Sequence, residues 1–117
     1  MKFLINGEFI DKSDHYDVIN PYNGEIVDTV PIAYRSDVDN AVEAANNAKK
    51  ALNDLSAKEV SISLYNACEE LEKESKNIAK LIVAEAGKPY KQAIGELQRS
   101  VETLQFAAEE EIGRAHV

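Results

Sequence analysis

At 117 residues, 44% of them hydrophobic, the chain is long enough for one modest core and too short for two. A formal charge of -8 with a pI near 4.7 argues against nucleic acid and anionic membrane surfaces as partners, because both reward Lys and Arg facing phosphate. Cys68 is alone, no apolar h-region opens the chain, and no run of about 18 apolar residues occurs, so a soluble protein of the reducing cytoplasm is expected.

In chain order, Lys2 to Ile5 and Glu8 to Ile10 flank Asn6-Gly7, the pair that favours a type I' turn, and predict a β-hairpin offering Phe3, Ile5 and Phe9. Asp11 to His15 reads as a polar loop. Tyr16 to Asn20 and Glu25 to Val30 predict a second hairpin around Pro21-Tyr22-Asn23-Gly24, in which Pro21 presets φ and Asn23-Gly24 accept positive φ. Pro31 is expected to end the strand region.

From Ser36 the apolar period becomes helical, with Val38, Ala41, Val42, Ala45, Ala48, Leu52 and Leu55 on one face. Ser36 is the expected N-cap, and Asp37 and Asp39 suit the first turn. Ser56-Ala57-Lys58-Glu59 is a capping box opening a second helix whose inner face is Val60, Leu64, Ala67, Cys68 and Leu71. A further pattern, Ile78, Leu81 and Ile82, is either a new helix or a continuation, so three or four helices are expected in all. After Pro89, the residues Tyr90, Ile94, Leu97, Val101, Leu104 and Ala108 mark a long amphipathic helix.

The joint before it, Glu85-Ala86-Gly87-Lys88-Pro89, combines a glycine suited to closing one helix with a proline suited to the first turn of the next. It also sets a carboxylate at a helix C-terminus and an ammonium at a helix N-terminus, where the dipoles favour the opposite signs. At the far end, Ile112 to Val117 lack both apolar period and turn chemistry. They match what one reading frame of a common short-read sequencing adapter encodes, so residues 112–117 are expected to be a non-native tail and residues 1–111 the natural sequence.

Local chemistry is sparse. Cys68 occupies a helix core position, where an inert thiol is expected. His15 and His116 supply no Cys/His zinc set. Gly87-Lys88 fails as a phosphate loop because Pro89 stands where Ser or Thr is required and Ile82 where the first glycine is required. Glu109-Glu110-Glu111 point in different directions on a helix and suit a solvated face. No active site is expected from these residues alone.

Taken together, Ile5-Asn6-Gly7-Glu8-Phe9, Val18-Ile19-Asn20-Pro21 with Asn23-Gly24-Glu25-Ile26-Val27, Asp37 to Ala45, and Glu85 to Pro89 with Ala93 and Glu96 resemble the opening of the NAD(P)-dependent aldehyde dehydrogenase superfamily. The resemblance is greatest to the lactaldehyde and non-phosphorylating glyceraldehyde-3-phosphate dehydrogenase branch. It runs from about Phe3 to Glu110, the first quarter or so of a family member. It implies an α+β fragment, two hairpins followed by helices, of an α/β fold, forming part of a cofactor-binding domain.

The resemblance further implies a cysteine thiolate that attacks a small-molecule aldehyde, hydride transfer to NAD or NADP, and release of a carboxylic acid by a glutamate-activated water. The nucleophile, the glycine-rich cofactor turn and the oxyanion donors belong to later segments, so this chain is expected to be inactive scaffold of a homo-oligomeric parent. One family site falls partly inside: a monovalent cation held by the backbone carbonyl of Ile19, or Val18, and by Glu85. The alternative reading is a stand-alone acidic four-helix interaction module with a hairpin arm.

Overall fold

The computed structural model describes residues 1–114, which form two compact units, Met1–Asp54 and a second beginning at Leu55.

In the first unit, β1 (Phe3–Ile5) and β2 (Glu8–Ile10) pair antiparallel with Phe3 opposite Ile10 and Ile5 opposite Glu8. Asn6 at φ 52° and Gly7 at φ 78° both take the left-handed conformation that the predicted type I' turn requires. A separate antiparallel sheet joins β3 (His15–Ile19) to β4 (Ile26–Pro31). Each element is displaced slightly from expectation. His15, expected in the loop, opens β3 opposite Pro31, and Pro31 is the last residue of β4. The terminal position suits a proline, which has no N–H to donate, and Ile32 continues the pairing by donating to the Asp14 carbonyl at 2.8 Å.

The β3–β4 turn is held by side chains as well as by backbone. Asn20 Oδ1 accepts the Tyr22 N–H at 2.9 Å, Asn23 Oδ1 accepts the Glu25 N–H at 3.0 Å, and Gly24 donates to the Asn20 carbonyl at 2.9 Å. Of the expected positive-φ pair only Gly24, at φ 75°, takes that conformation.

Helix α1 (Arg35–Asn53) starts one residue before the expected cap, and Tyr34, not Ser36, is its N-cap. A tyrosine cannot fold back onto its own helix as serine does, so the carboxylate of Asp37, at the third helical position, accepts the Tyr34 N–H at 2.8 Å. The expected inner face of α1 is largely uncovered: Val38, Val42 and Leu52 are exposed. With Phe3, Ile5, Tyr16 and Val30, the residues Val38 and Val42 line an open apolar groove of about 620 Å³ within this unit.

The second unit is a helix hairpin, α2 (Ala57–Ala86) and α3 (Tyr90–Arg114). The capping box forms as expected, with Ser56 donating its N–H to Glu59 Oε2 at 2.8 Å and Glu59 donating its own to Ser56 Oγ at 3.3 Å. The two patterns before Gly87 are one continuous helix of 30 residues. The charged stretch between them contains no Gly or Pro, and it is stitched by Lys73–Glu70 at 2.7 Å and Asn77–Glu74 at 2.9 Å. Three helices therefore form among the described residues, which removes the basis for a four-helix module.

Cys68, Ala79, Ala93, Leu97, Val101 and Ala108 are buried, with Leu71, Ile78, Ile82, Val83 and Ile94 packed around Ala79, Ala93 and Leu97. Ala79 and Ala93 are absent from the sequence-derived core, yet both are fully buried. Ala67 and Tyr90, expected inside, are exposed. Helix α3 also runs on through Ile112 and Gly113, where sequence pattern gave no reason to continue, and residues 115–117 of the expected tail lie outside the described residues.

Among the described residues Ser61 is the largest fully buried side chain, and its Oγ has no hydrogen-bond partner among them. Leaving a hydroxyl unpaired in an interior is unfavourable, and alanine is the better helix former. Ser61→Ala is therefore expected to stabilise the hairpin by about 1 kcal/mol, read as a higher urea midpoint of the helical circular dichroism signal. A lower midpoint would show that the hydroxyl is paired.

Candidate functional site

The sequence picks out the joint between α2 and α3, and its geometry follows from backbone rules. Gly87 closes α2 at φ 66°, ψ 19°, and its N–H donates to the Val83 carbonyl at 3.0 Å. Pro89 lies one position earlier than expected, just outside α3, and its carbonyl accepts from Gln92 and Ala93 at 2.9 and 3.1 Å. It thus acts as the cap of α3, where its missing N–H is no loss.

Between these two residues, Lys88 pairs with Glu96, two turns into α3. That pair accounts for the cation at the helix N-terminus: the Glu96 carboxylate neutralises it, and the Lys88 ammonium in turn holds the Glu96 carboxyl below its ordinary range. Sequence reading left Lys88 unexplained, although a partner at this distance along an adjoining helix was a signal it could have used. Glu85, in the last turn of α2, is exposed.

The other expected ligand, Ile19, is the last residue of β3 in the first unit and is exposed. The ladder shifts register between Val18 and Ile19, interrupting the regular alternation of pairing at the carbonyls expected to face a cation. Ile19 and Glu85 thus sit at the ends of their elements in two different units. Each offers oxygen, a main-chain carbonyl in one case and a carboxylate in the other, the hard donor type that an alkali cation takes.

A cluster that sequence reading missed surrounds Asp37. Asp37 is 4% exposed, and its carboxylate accepts bonds from both the Tyr34 N–H and Lys12 Nζ, the latter at 2.7 Å. Lys12 also lies over the Tyr34 ring, 5.7 Å from its centroid, and the Tyr34 hydroxyl donates to Asp14. The loop after β2 is thereby tied to the start of α1. The bond from Lys12 and then that from Tyr34 hold the Asp37 carboxyl below its ordinary value, and the bond to Asp14 raises that of Tyr34.

The residues needed for catalysis or nucleotide binding are not brought together. Cys68 is 3% exposed with Sγ 3.7 Å from the Val101 carbonyl, so it packs the hairpin and cannot reach a substrate. His15 instead donates to Asp11 at 2.8 Å on the surface. Among the described residues no group of three His, Cys, Asp or Glu could hold a metal ion.

The glycines do not fit a dinucleotide either. Gly7 and Gly24 serve hairpin turns, Gly87 a helix end, and Gly95 and Gly113 lie inside α3, so none opens a helix directly after a strand. The N-termini of α1 and α2 are already filled by Asp37 and Glu59. No helix is long and apolar enough to cross a membrane among the described residues.

Comparison with known proteins matches residues 9–115 to the aldehyde dehydrogenase family. The chain is 36% identical over 111 residues to a D-glyceraldehyde dehydrogenase (NADP(+)) of Picrophilus torridus, covering 93% of this chain and 22% of that protein. It is 38% identical over 105 residues to a lactaldehyde dehydrogenase of Methanococcus aeolicus, covering 90% and 22%. Among solved structures, aldehyde dehydrogenase 21 of Physcomitrella patens superposes with a TM-score of 0.89 at 34% identity, over 93% of this chain and 23% of that one. The chain thus spans about a fifth of the length of these relatives, matching their N-terminal part.

The Asp37 cluster carries a prediction. A carboxyl whose folded pKa is depressed stabilises the fold above its unfolded pKa, and that stability is lost as the pH falls through the folded pKa. Asp37→Asn is expected to lower the urea midpoint at pH 7, with the deficit shrinking as the pH drops below about 4. Asp39→Asn, whose 4.0 Å pairing with Arg35 is on the surface, should leave the midpoint within experimental error. Equal effects of the two changes would refute the role given to Asp37.

Proposed function

The chain belongs to the aldehyde dehydrogenase family, and on that premise we propose that it is the N-terminal portion of an NAD(P)-dependent enzyme that oxidises a small aldehyde to a carboxylic acid. The observation that carries this reading is the contrast in coverage: residues 9–115 fit the family, while the alignments fill 22% of the curated relatives. The nucleophilic thiol lies outside these residues, because a thiolate must reach the carbonyl it attacks and Cys68 is sealed between helices. NAD or NADP is likewise held by other segments, and no step of the reaction passes through the residues described above.

In this reading the chain is inactive scaffold from a cytoplasmic, homo-oligomeric parent. Its apolar groove and the uncovered face of α1 are surfaces that the remaining domain packs against. The carbonyl of Ile19, with Val18 beside it, and the Glu85 carboxylate contribute to a monovalent cation site completed by a later ligand. Residues 112–117 are a foreign tail, which sequencing through the locus tests directly: an authentic stop codon after Val117 would refute it.

The enzyme encoded by the full reading frame is expected to reduce NAD or NADP when supplied with lactaldehyde or glyceraldehyde, read as absorbance of the reduced nicotinamide. No turnover with any of these under either cofactor would overturn the proposal. The 117-residue chain by itself should show no turnover and should bind a hydrophobic dye. Each side chain left uncovered forgoes ~1.5–3 kcal/mol of burial, a large part of the ~5–15 kcal/mol that holds a domain together. Dye fluorescence no greater than that given by a fully covered globular protein would contradict this.

A further inference from the structure

The first unit holds two Asn-Gly dipeptides, Asn6-Gly7 between β1 and β2 and Asn23-Gly24 between β3 and β4. An asparagine followed by glycine is prone to lose its side-chain amide, because no Cβ on the glycine keeps its main-chain nitrogen away from the asparagine side chain. Asn6, Gly7, Asn23 and Gly24 are all exposed, and a Cβ built on either glycine would meet nothing within 4 Å. Access to water therefore does not separate the two dipeptides. Hydrogen bonding does.

In the β3–β4 turn the atoms that would react are already bonded. The Gly24 N–H donates to the Asn20 carbonyl at 2.9 Å, Asn23 Nδ2 donates to Glu25 Oε2 at 2.8 Å, and Asn23 Oδ1 accepts the Glu25 N–H at 3.0 Å. Turning the Asn23 side chain onto the Gly24 nitrogen breaks all of them. In the β1–β2 turn neither the Asn6 side chain nor the Gly7 N–H is bonded to any described residue. The hairpin around Asn6 is also the shorter, with strands of three residues against five and six, and so the easier to fray.

We propose that Asn6 is a site of spontaneous covalent modification, deamidating to aspartate and isoaspartate, while Asn23 in the same residue pair is protected by its turn. The Gly7 nitrogen attacks the side-chain carbonyl carbon of Asn6. A bond forms between them as the carbon–Nδ2 bond breaks, and Nδ2 leaves as ammonia, taking the proton from Gly7. Water then opens the resulting ring. Cleavage of the new bond gives aspartate, and cleavage of the original peptide bond gives isoaspartate, whose main chain runs through the former side chain and is longer by a methylene. The two-residue loop that sets Ile5 opposite Glu8 has no room for the added atom, so isoaspartate at this position breaks the register that places Phe3 and Ile5 along the apolar groove.

The test incubates the 117-residue chain at mildly alkaline pH, in native buffer and in denaturing guanidinium chloride side by side. Peptides carrying Asn6 and Asn23 are followed by mass spectrometry for exchange of amide for acid, and isoaspartate is identified by methylation with an isoaspartyl methyltransferase. In native buffer Asn6 is expected to convert about tenfold or more faster than Asn23, whose reaction must first break the hydrogen bonds of its turn. In guanidinium chloride the gap should close. Glu25→Ala, which removes the Nδ2 partner on the surface, should speed Asn23 severalfold and leave Asn6 as it was.

Asn23 keeping pace with Asn6 in native buffer would overturn the proposal. So would a gap of the same size in guanidinium chloride, which would trace the difference to neighbouring residues and not to the turns. An Asn23 no faster in Glu25→Ala would refute the part given to its side-chain bonds.

Discussion

The constraint on which this structure turns is a shortage of cover for its apolar side chains. The apolar residues buried in the helix hairpin, among the described residues, are small or few: three alanines, a cysteine, one leucine and one valine. Many of the large ones are outside, including Phe9 at 73%, Phe106 at 70% and Val42 at 64% exposed. Lone exposed hydrophobic residues are common on any protein, but Phe3, Ile5, Tyr16, Val30, Val38 and Val42 border a single groove. The secondary structure does not depend on covering these side chains, because its hydrogen bonds are local.

Against that shortage, polar contacts carry much of the local order. Asp37 is the best-connected of them, joining Lys12 to the first turn of α1 while Tyr34 bridges to Asp14. The Ser56–Glu59 box, the asparagine-rich β3–β4 turn and the Lys88–Glu96 pair are of the same kind, each tying an element end to residues close by in sequence. They set where elements begin and end and supply little of the energy that holds layers together.

Much of this was legible from residue order because turn and cap chemistry is local. Asn6-Gly7, Gly24, the capping box and Gly87 all behave as their residue types dictate. Misreadings arise where a neighbour distant in sequence decides the matter. Asp37 displaced Ser36 from control of the α1 start because Lys12 is there to hold it. Ala79 and Ala93 entered the core because α2 and α3 approach closely enough for small side chains, which a pattern of large apolar residues cannot register. The family was legible from short motifs in fixed order, whereas the Lys88 partner needed the fold of the hairpin to be seen.

While α1 reaches back to β1 and to the loop after β2, the strand pairings and the helix hairpin join neighbours in sequence, β1 with β2, β3 with β4, and α2 with α3 across a three-residue joint. Contacts of that kind close short loops and form early, before distant partners are needed. Hairpins built in this way can form as the chain is synthesised, each as soon as its own residues have emerged. The apolar groove takes no part in those early pairings and is still open once they have formed, which leaves Phe3, Tyr16, Val30, Val38 and Val42 as the surface of the first unit on which aggregation would start.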